Sequence, residues 1–220
     1  MAYTQVIDLE PLKLCKQMTY LSIEGTQVSS ITVLDQMENL RSLSIEGTKV
    51  EEISPLAACP MLEVLNLSFT EIRSVESLSG CSKLRVLDLK RSRVTDISSL
   101  GLCSQLRTLF LCYTQVRDIS VLRRTTELRA LHLGFTPVEN VSALDTATKL
   151  EEIDLGYTRV SDLSPLRFCE SLRYVRMYRA SLLDVSMLNK RVKFIRSAAS
   201  TNLRPDTFAR NASAPRTRSI

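Results

Sequence analysis

The chain runs to 220 residues, 44% of them hydrophobic and 24% charged, with a net charge of +5. No stretch approaches the roughly 18 consecutive apolar residues of a membrane span. The opening MAYTQVIDLEPL has no basic segment and no long apolar core, so it is not a signal peptide, and the expected location is cytoplasmic or nuclear.

Of the 29 cations eight, and of the 24 acids only Asp206, lie from Asn189 onward. The chain before Asn189 therefore holds slightly more acids than cations. The positive charge belongs to the tail and marks no nucleic-acid surface on the body.

Residues 1–17 read as a partial repeat. Tyr3, Thr4, Gln5 and Val6, continued by Leu9, Leu12 and Cys15, fall on the second half of a unit that becomes complete only later. From Met18 the unit is explicit. Leu40, Leu62, Leu84, Leu106, Leu128, Leu150 and Leu172 follow one another at a single constant interval, without an insertion. A unit of that length is one supersecondary element, which buries its apolar face only against copies of itself.

With the recurring leucine as offset 0, apolar residues return at +3, +5, +10, +13 and +16, as in Leu62, Leu65, Leu67, Ile72, Val75 and Leu78. The period of two at +3 and +5 predicts a short strand with one buried face. A hydroxyl residue at +8 (Thr26, Thr48, Thr70, Ser92, Thr114, Thr136, Thr158) marks the exit from the strand, where it can bond neighbouring backbone and form a ladder along the stack. Asp, Asn or Glu is frequent at +12. Ser is commonest at +14, followed by Pro in Ser54-Pro55 and Ser164-Pro165. Such a pair reads as the N-cap and first position of a helical turn, and the few residues left allow one short α or 3-10 turn.

The Leu172 repeat degrades, with Ala180 in the hydroxyl position and Arg191 in place of Cys, and Val192, Phe194 and Ile195 are read as a last edge strand. The expected organisation is a partial repeat at 1–17, a solenoid over 18–195 of eight repeats and a terminal edge, and a basic disordered tail at 196–220.

The pattern L-x-x-L-x-L-x-x-T-x-V-x-D-I-S-x-L-x-x-C resembles the leucine-rich repeats of the 22-residue class, found in bacterial internalins and in the leucine-rich regulatory subunit of protein phosphatase 1. With Thr at +8 it is also similar to some trypanosomatid leucine-rich-repeat proteins proposed to regulate adenylate cyclase. The resemblance implies an α/β fold: a right-handed solenoid with a concave parallel β-sheet of about eight strands and short 3-10 or α turns on the convex side. It implies a non-enzymatic scaffold that binds another protein, including as a regulatory subunit of a signalling enzyme such as a phosphatase or cyclase. With no C-x-x-C spacing, no Gly-rich phosphate loop and no H-E-x-x-H, no cofactor, metal or small-molecule substrate is expected. The competing reading is nucleic-acid or membrane-surface association through the basic tail.

Five cysteines, Cys15, Cys59, Cys81, Cys103 and Cys169, share offset +19 and read as small apolar packing residues of the convex wall. Cys112 lies on a strand, at +6, and is read as solvent-accessible. The single histidine, His132, stands at +4 between Phe110 and Asp154 of the neighbouring rungs. An enzyme would need an Asp154–His132 pair with Cys112 as its nucleophile. An open sheet neither excludes water nor builds an oxyanion hole, so no catalytic residue is assigned.

Strand residues at +2, +4 and +6 face outward, with +7 on the rim. The +7 column reads Gly25, Gly47, Phe69, Arg91, Tyr113, Phe135, Tyr157 and Arg179, an aromatic and arginine composition enriched in binding hot spots. The alternative is that each ring covers the leucine-rich turn beneath it. Phe110 stands in an otherwise polar column and is read as exposed. The candidate partner-binding patch is Phe110, Tyr113, His132, Phe135, Asp154, Tyr157, Arg176 and Tyr178.

Overall fold

The structure, a computed structural model, describes residues 4–178 and 184–195. The tail at 196–220 lies outside the described residues, as do Tyr3, Arg179 and Ala180. Among the described residues there are nine three-residue strands: β1 (Tyr20–Ser22), β2 (Ser42–Ser44), β3 (Val64–Asn66), β4 (Val86–Asp88), β5 (Thr108–Phe110), β6 (Ala130–His132), β7 (Glu152–Asp154), β8 (Tyr174–Arg176) and β9 (Lys193–Ile195). They form one parallel sheet in sequence order. Each strand pairs with the equivalent positions of the next repeat, Leu43 opposite Leu65 and Leu109 opposite Leu131, until β8 meets β9.

Register follows from burial. Leu65, Leu87, Leu109 and Leu131 lie side by side and are fully buried, and a one-residue slip would turn that whole row to solvent. Every +0, +3, +5, +10, +13 and +16 side chain of the Leu62 repeat is likewise inside the core. The opposite wall consists of five-residue 3-10 turns such as Ser54–Ala58 and Ser120–Arg124. Among the described residues no helix is long and apolar enough to cross a membrane.

Two local features differ from the sequence expectation. The serine at +14 is not the cap of its turn: the N-cap of Ser120–Arg124 is Ile119, which makes no side-chain cap bond. The residue at +12 takes that role. Asp118 Oδ1 accepts the Ser120 N–H at 2.7 Å and Oδ2 accepts its hydroxyl at 3.1 Å. Asp96, Asn140, Asp162 and Asp184 repeat the backbone contact. The +8 hydroxyls likewise form no ladder between repeats. Each threonine bonds within its own repeat, as where Thr114 Oγ1 donates to the Leu111 carbonyl at 2.7 Å and Thr136 Oγ1 to that of Leu133 at 2.6 Å, whereas the buried Ser92 hydroxyl makes no such bond.

Asp118→Ala removes two acceptors at one such turn. It is expected to lower stability by about 1 kcal/mol, or about 2–4 °C in the thermal midpoint for a chain of this size. A melting curve followed by circular dichroism checks it.

Four of the five +19 cysteines are buried, and their thiols bond across to the preceding repeat: Cys59 Sγ donates to the Leu34 carbonyl at 3.3 Å and Cys103 Sγ to that of Leu78 at 3.4 Å. Burial raises both thiol pKa values to about 11. Cys15 departs from the expectation and is exposed.

Candidate functional site

The +7 position follows each strand and turns the chain away from the sheet. It does so with positive φ throughout: 63° and 64° at Gly25 and Gly47, then 56° at Phe69, 54° at Arg91, 61° at Tyr113, 60° at Phe135 and 57° at Tyr157. Glycine suits this left-handed region, whereas a Cβ there costs about 1–2 kcal/mol. Five consecutive repeats carry a large side chain where two others carry glycine. Such strain is a feature of functional sites.

The side chains form a continuous stack along the rim. Arg91 lies 5.5 Å from the Phe69 ring centroid and 4.5 Å from that of Tyr113. Tyr113 stacks on Phe135 at 4.3 Å and Phe135 on Tyr157 at 4.2 Å, with ring planes 10° and 17° apart. Tyr157 meets Tyr178 at 6.0 Å and a tilt of 40°. The rings thus cover one another's faces and leave their edges in solvent. Phe69 is 50% exposed, Tyr113 44%, Phe135 42% and Tyr157 39%.

The floor beside this ridge differs from the sequence reading at Phe110, which is buried, not exposed. Its ring stacks on His132 at 4.6 Å, and the Lys90 ammonium lies 5.3 Å from its centroid. Both Phe110 and His132 are only 7% exposed. The reason is tertiary: parallel strands stand so close that two flat side chains on adjacent rungs cover each other. Cys112 is half-buried rather than open, and burial raises its pKa to about 12.

His132 and Asp154 are register neighbours, yet no hydrogen bond or ion pair joins them among the described residues. Asp154 Oδ1 instead accepts the Gly156 N–H at 2.8 Å. Burial, with Arg176 and Lys90 adding to it, pushes the His132 pKa down to about 3. The imidazole is therefore neutral and a weak base, and Cys112 stays a thiol. The floor does not offer a nucleophile and base matched to one another.

Sequence reasoning overlooked Glu152. This half of the floor is held together by its buried carboxylate, which pairs with Arg176 at 2.7 Å. The available signal was a single acid at +2 among Ser42, Val64, Val86, Thr108 and Ala130. Burial raises the pKa values of Asp88, Glu152 and Asp154.

His132 makes stability depend on pH. Its folded pKa lies below the ordinary value of 6.5, so on acidification the unfolded chain binds a proton that the folded chain refuses. The stabilisation is complete above pH 6.5 and is lost as pH falls from there toward 3. Between about pH 7.5 and about pH 5 the loss is about 2 kcal/mol. The raised carboxylates act in the opposite sense, between their raised folded values and their ordinary values of 3.8 and 4.5, below which both states are protonated. The change in urea-unfolding free energy between the two pH values is expected to differ by that amount between the parent and His132→Phe, which keeps the stack on Phe110 without titrating while the carboxylates remain in both.

The leucine-rich-repeat family, in two copies, matches residues 60–101. A comparison with curated proteins found no match. Among solved structures, an internalin (inlF) from Listeria monocytogenes is 27% identical at a TM-score of 0.79, covering 83% of this chain and 55% of its own. The chain thus spans about half the length of that protein. A second internalin of the same species is 28% identical at a TM-score of 0.75, covering 80% of this chain and 78% of its own. The fold is shared with the leucine-rich-repeat ectodomain of a plant membrane receptor kinase from Arabidopsis thaliana, solved in complex with Casparian strip integrity factor 2. That match has 18% identity and a TM-score of 0.67, and it covers 77% of this chain and 23% of that one. Repeats of this kind generally serve protein–protein interaction.

Proposed function

We propose that this leucine-rich-repeat protein, whose repeats resemble those of internalins, is a non-enzymatic scaffold that grips another protein along the concave face, with the aromatic ridge as the principal contact. One observation carries the reading: Phe69, Arg91, Tyr113, Phe135 and Tyr157 all sit at positive φ, where glycine serves in the first two repeats, and their side chains remain exposed. The fold itself does not require rings there. A partner that buries their edges supplies the reason for them, and Tyr and Arg are the residues most enriched in binding hot spots. The floor beside the ridge provides the remainder of the contact through Asp154, Arg176 and Tyr178, next to the buried Phe110–His132 pair.

Affinity capture from native extract with two baits tests this. One bait is the intact chain; the other carries Tyr113→Ser, Phe135→Ser and Tyr157→Ser and is checked for folding by circular dichroism. A protein recovered by the first and absent from the second is the expected result. Identical recoveries would reduce the ridge to a cover for the turns beneath it.

A further inference from the structure

A repeat protein contains its own comparison, because equivalent offsets in different rungs solve the same local problem. At +4, Asn66, Asp88 and Asp154 all use one side-chain oxygen to accept the N–H two residues on, from Ser68 at 3.0 Å, Lys90 at 2.9 Å and Gly156 at 2.8 Å. They differ in the second half of the side chain. Asn66 turns its amide toward Glu46, donating at 2.8 Å. Asp88 Oδ2 meets the ammonium of Lys90 at 3.1 Å, and that ammonium also lies against the Phe110 ring of the next rung. In the Asp154 rung the +6 residue is Gly156, so the cation that answers Asp88 has no counterpart.

Among the described residues nothing else on the floor replaces it. The nearest cation, Arg176, is committed to Glu152 and acts on Asp154 only at longer range. His132 is neutral. Among the described residues, Asp154 forms no ion pair and its Oδ2 accepts no hydrogen bond. Glu152 and Asp154 against Arg176 leave one unmatched negative charge, whereas Asp88 and Lys90 balance. The backbone around the carboxylate is kept bare. A Cβ at Gly134 would stand 3.3 Å from Asp154 Oδ2, and one at Gly156 would meet the Tyr178 ring at 2.4 Å.

We infer that Asp154 Oδ2, above the bare backbone of Gly134 and beside Tyr178 and the aromatic ridge, is a recognition point for a basic side chain, Lys or Arg, of the bound protein. This rests on the scaffold reading and specifies its partner: the segment that crosses the floor at this rung carries a cation there. It takes the place that Lys90 takes on Asp88, except that the register neighbour there is Arg176, turned to Glu152, instead of Phe110, and the ring beside the site is that of Tyr178. The carboxylate is held for it in advance by the Gly156 N–H, which lowers the ordering needed on binding.

The test uses the full chain, isotope-labelled, titrated with N-acetyl-arginine N-methylamide and, separately, with the citrulline analogue of the same shape and no charge. Saturable shifts of the Gly134 and Gly156 amide signals are expected with the arginine probe alone. They are expected to be at least tenfold weaker in Asp154→Asn, which keeps an acceptor for the Gly156 N–H. Lys90→Ala is expected to open a second such site at Asp88, seen as a new saturable shift at the amide of residue 90. Equal shifts with citrulline, no saturable shift at the two glycines, shifts that survive in Asp154→Asn, or no second site in Lys90→Ala would each overturn the assignment. The ridge is untouched in all of these variants. A failure here leaves the scaffold reading standing, and a failure of the two-bait capture leaves the arginine result to be read by itself.

Discussion

With Tyr113→Gly, Phe135→Gly and Tyr157→Gly combined, the chain is expected to remain folded while its affinity for the captured partner falls by about a hundredfold or more. The two effects separate because the ridge contributes to each in a different way. Each substitution relieves a left-handed Cβ, a gain of about 1–2 kcal/mol, at positions whose φ values of 61°, 60° and 57° match those of Gly25 and Gly47. Against this, two ring stacks are lost, each worth about 0.5–1.5 kcal/mol, together with the flanking contact of Arg91 on Tyr113. The gains are at least as large as the losses, so folding is retained.

Binding has no such offset. Hot-spot aromatics contribute about 2 kcal/mol or more apiece, so three removed together exceed the roughly 2.8 kcal/mol that corresponds to a hundredfold. Urea unfolding and calorimetric titration on the same samples decide the matter. An affinity within threefold of the parent, in a chain that still unfolds cooperatively, would show that the partner does not use the ridge.

Leu109→Ala is expected to produce the largest loss of stability. Leu109 is fully buried in β5, in the middle of the stack, and its register neighbours are Leu87 and Leu131. Removing it leaves a cavity that neither neighbouring rung can close without breaking its own register. Such changes cost about 3–5 kcal/mol, a large part of the roughly 5–15 kcal/mol that holds a domain together. At about 2–4 °C per kcal/mol, the midpoint drops by about 10 °C.

Leu21→Ala in β1 is chemically the same change, but among the described residues that strand has a strand partner on one side only, with the half-repeat of Val6, Leu9 and Leu12 beside it. In a one-dimensional stack a terminal rung frays separately, so the main transition moves much less. Hydrogen exchange after each substitution distinguishes the two, with protection lost across the stack in the first and near residues 20–30 in the second. Equal shifts of the main transition would mean that the stack does not behave as coupled neighbours.

Much of this molecule follows from spacing alone. A leucine that recurs at one fixed interval from Leu40 to Leu172, with apolar partners at +3 and +5, determines a strand, its buried face and the parallel pairing of each unit with the next, because no other arrangement buries all copies at once. The same spacing puts Tyr113, Phe135 and Tyr157 in one column.

Only the tertiary structure decided what the columns do. The sequence does not show that +7 is left-handed, since φ there is set by the closure of each coil onto its neighbour, and only Gly25 and Gly47 hint at it. Nor does it show that Phe110 hides beneath His132, that Arg176 takes Glu152 and leaves Asp154, or that Asp118 and not Ser120 caps its turn. Periodicity records which residues must be buried for the fold to exist. Pairing among the polar and aromatic residues that remain depends on distances of a few ångströms between rungs, and those distances exist only once the stack has formed.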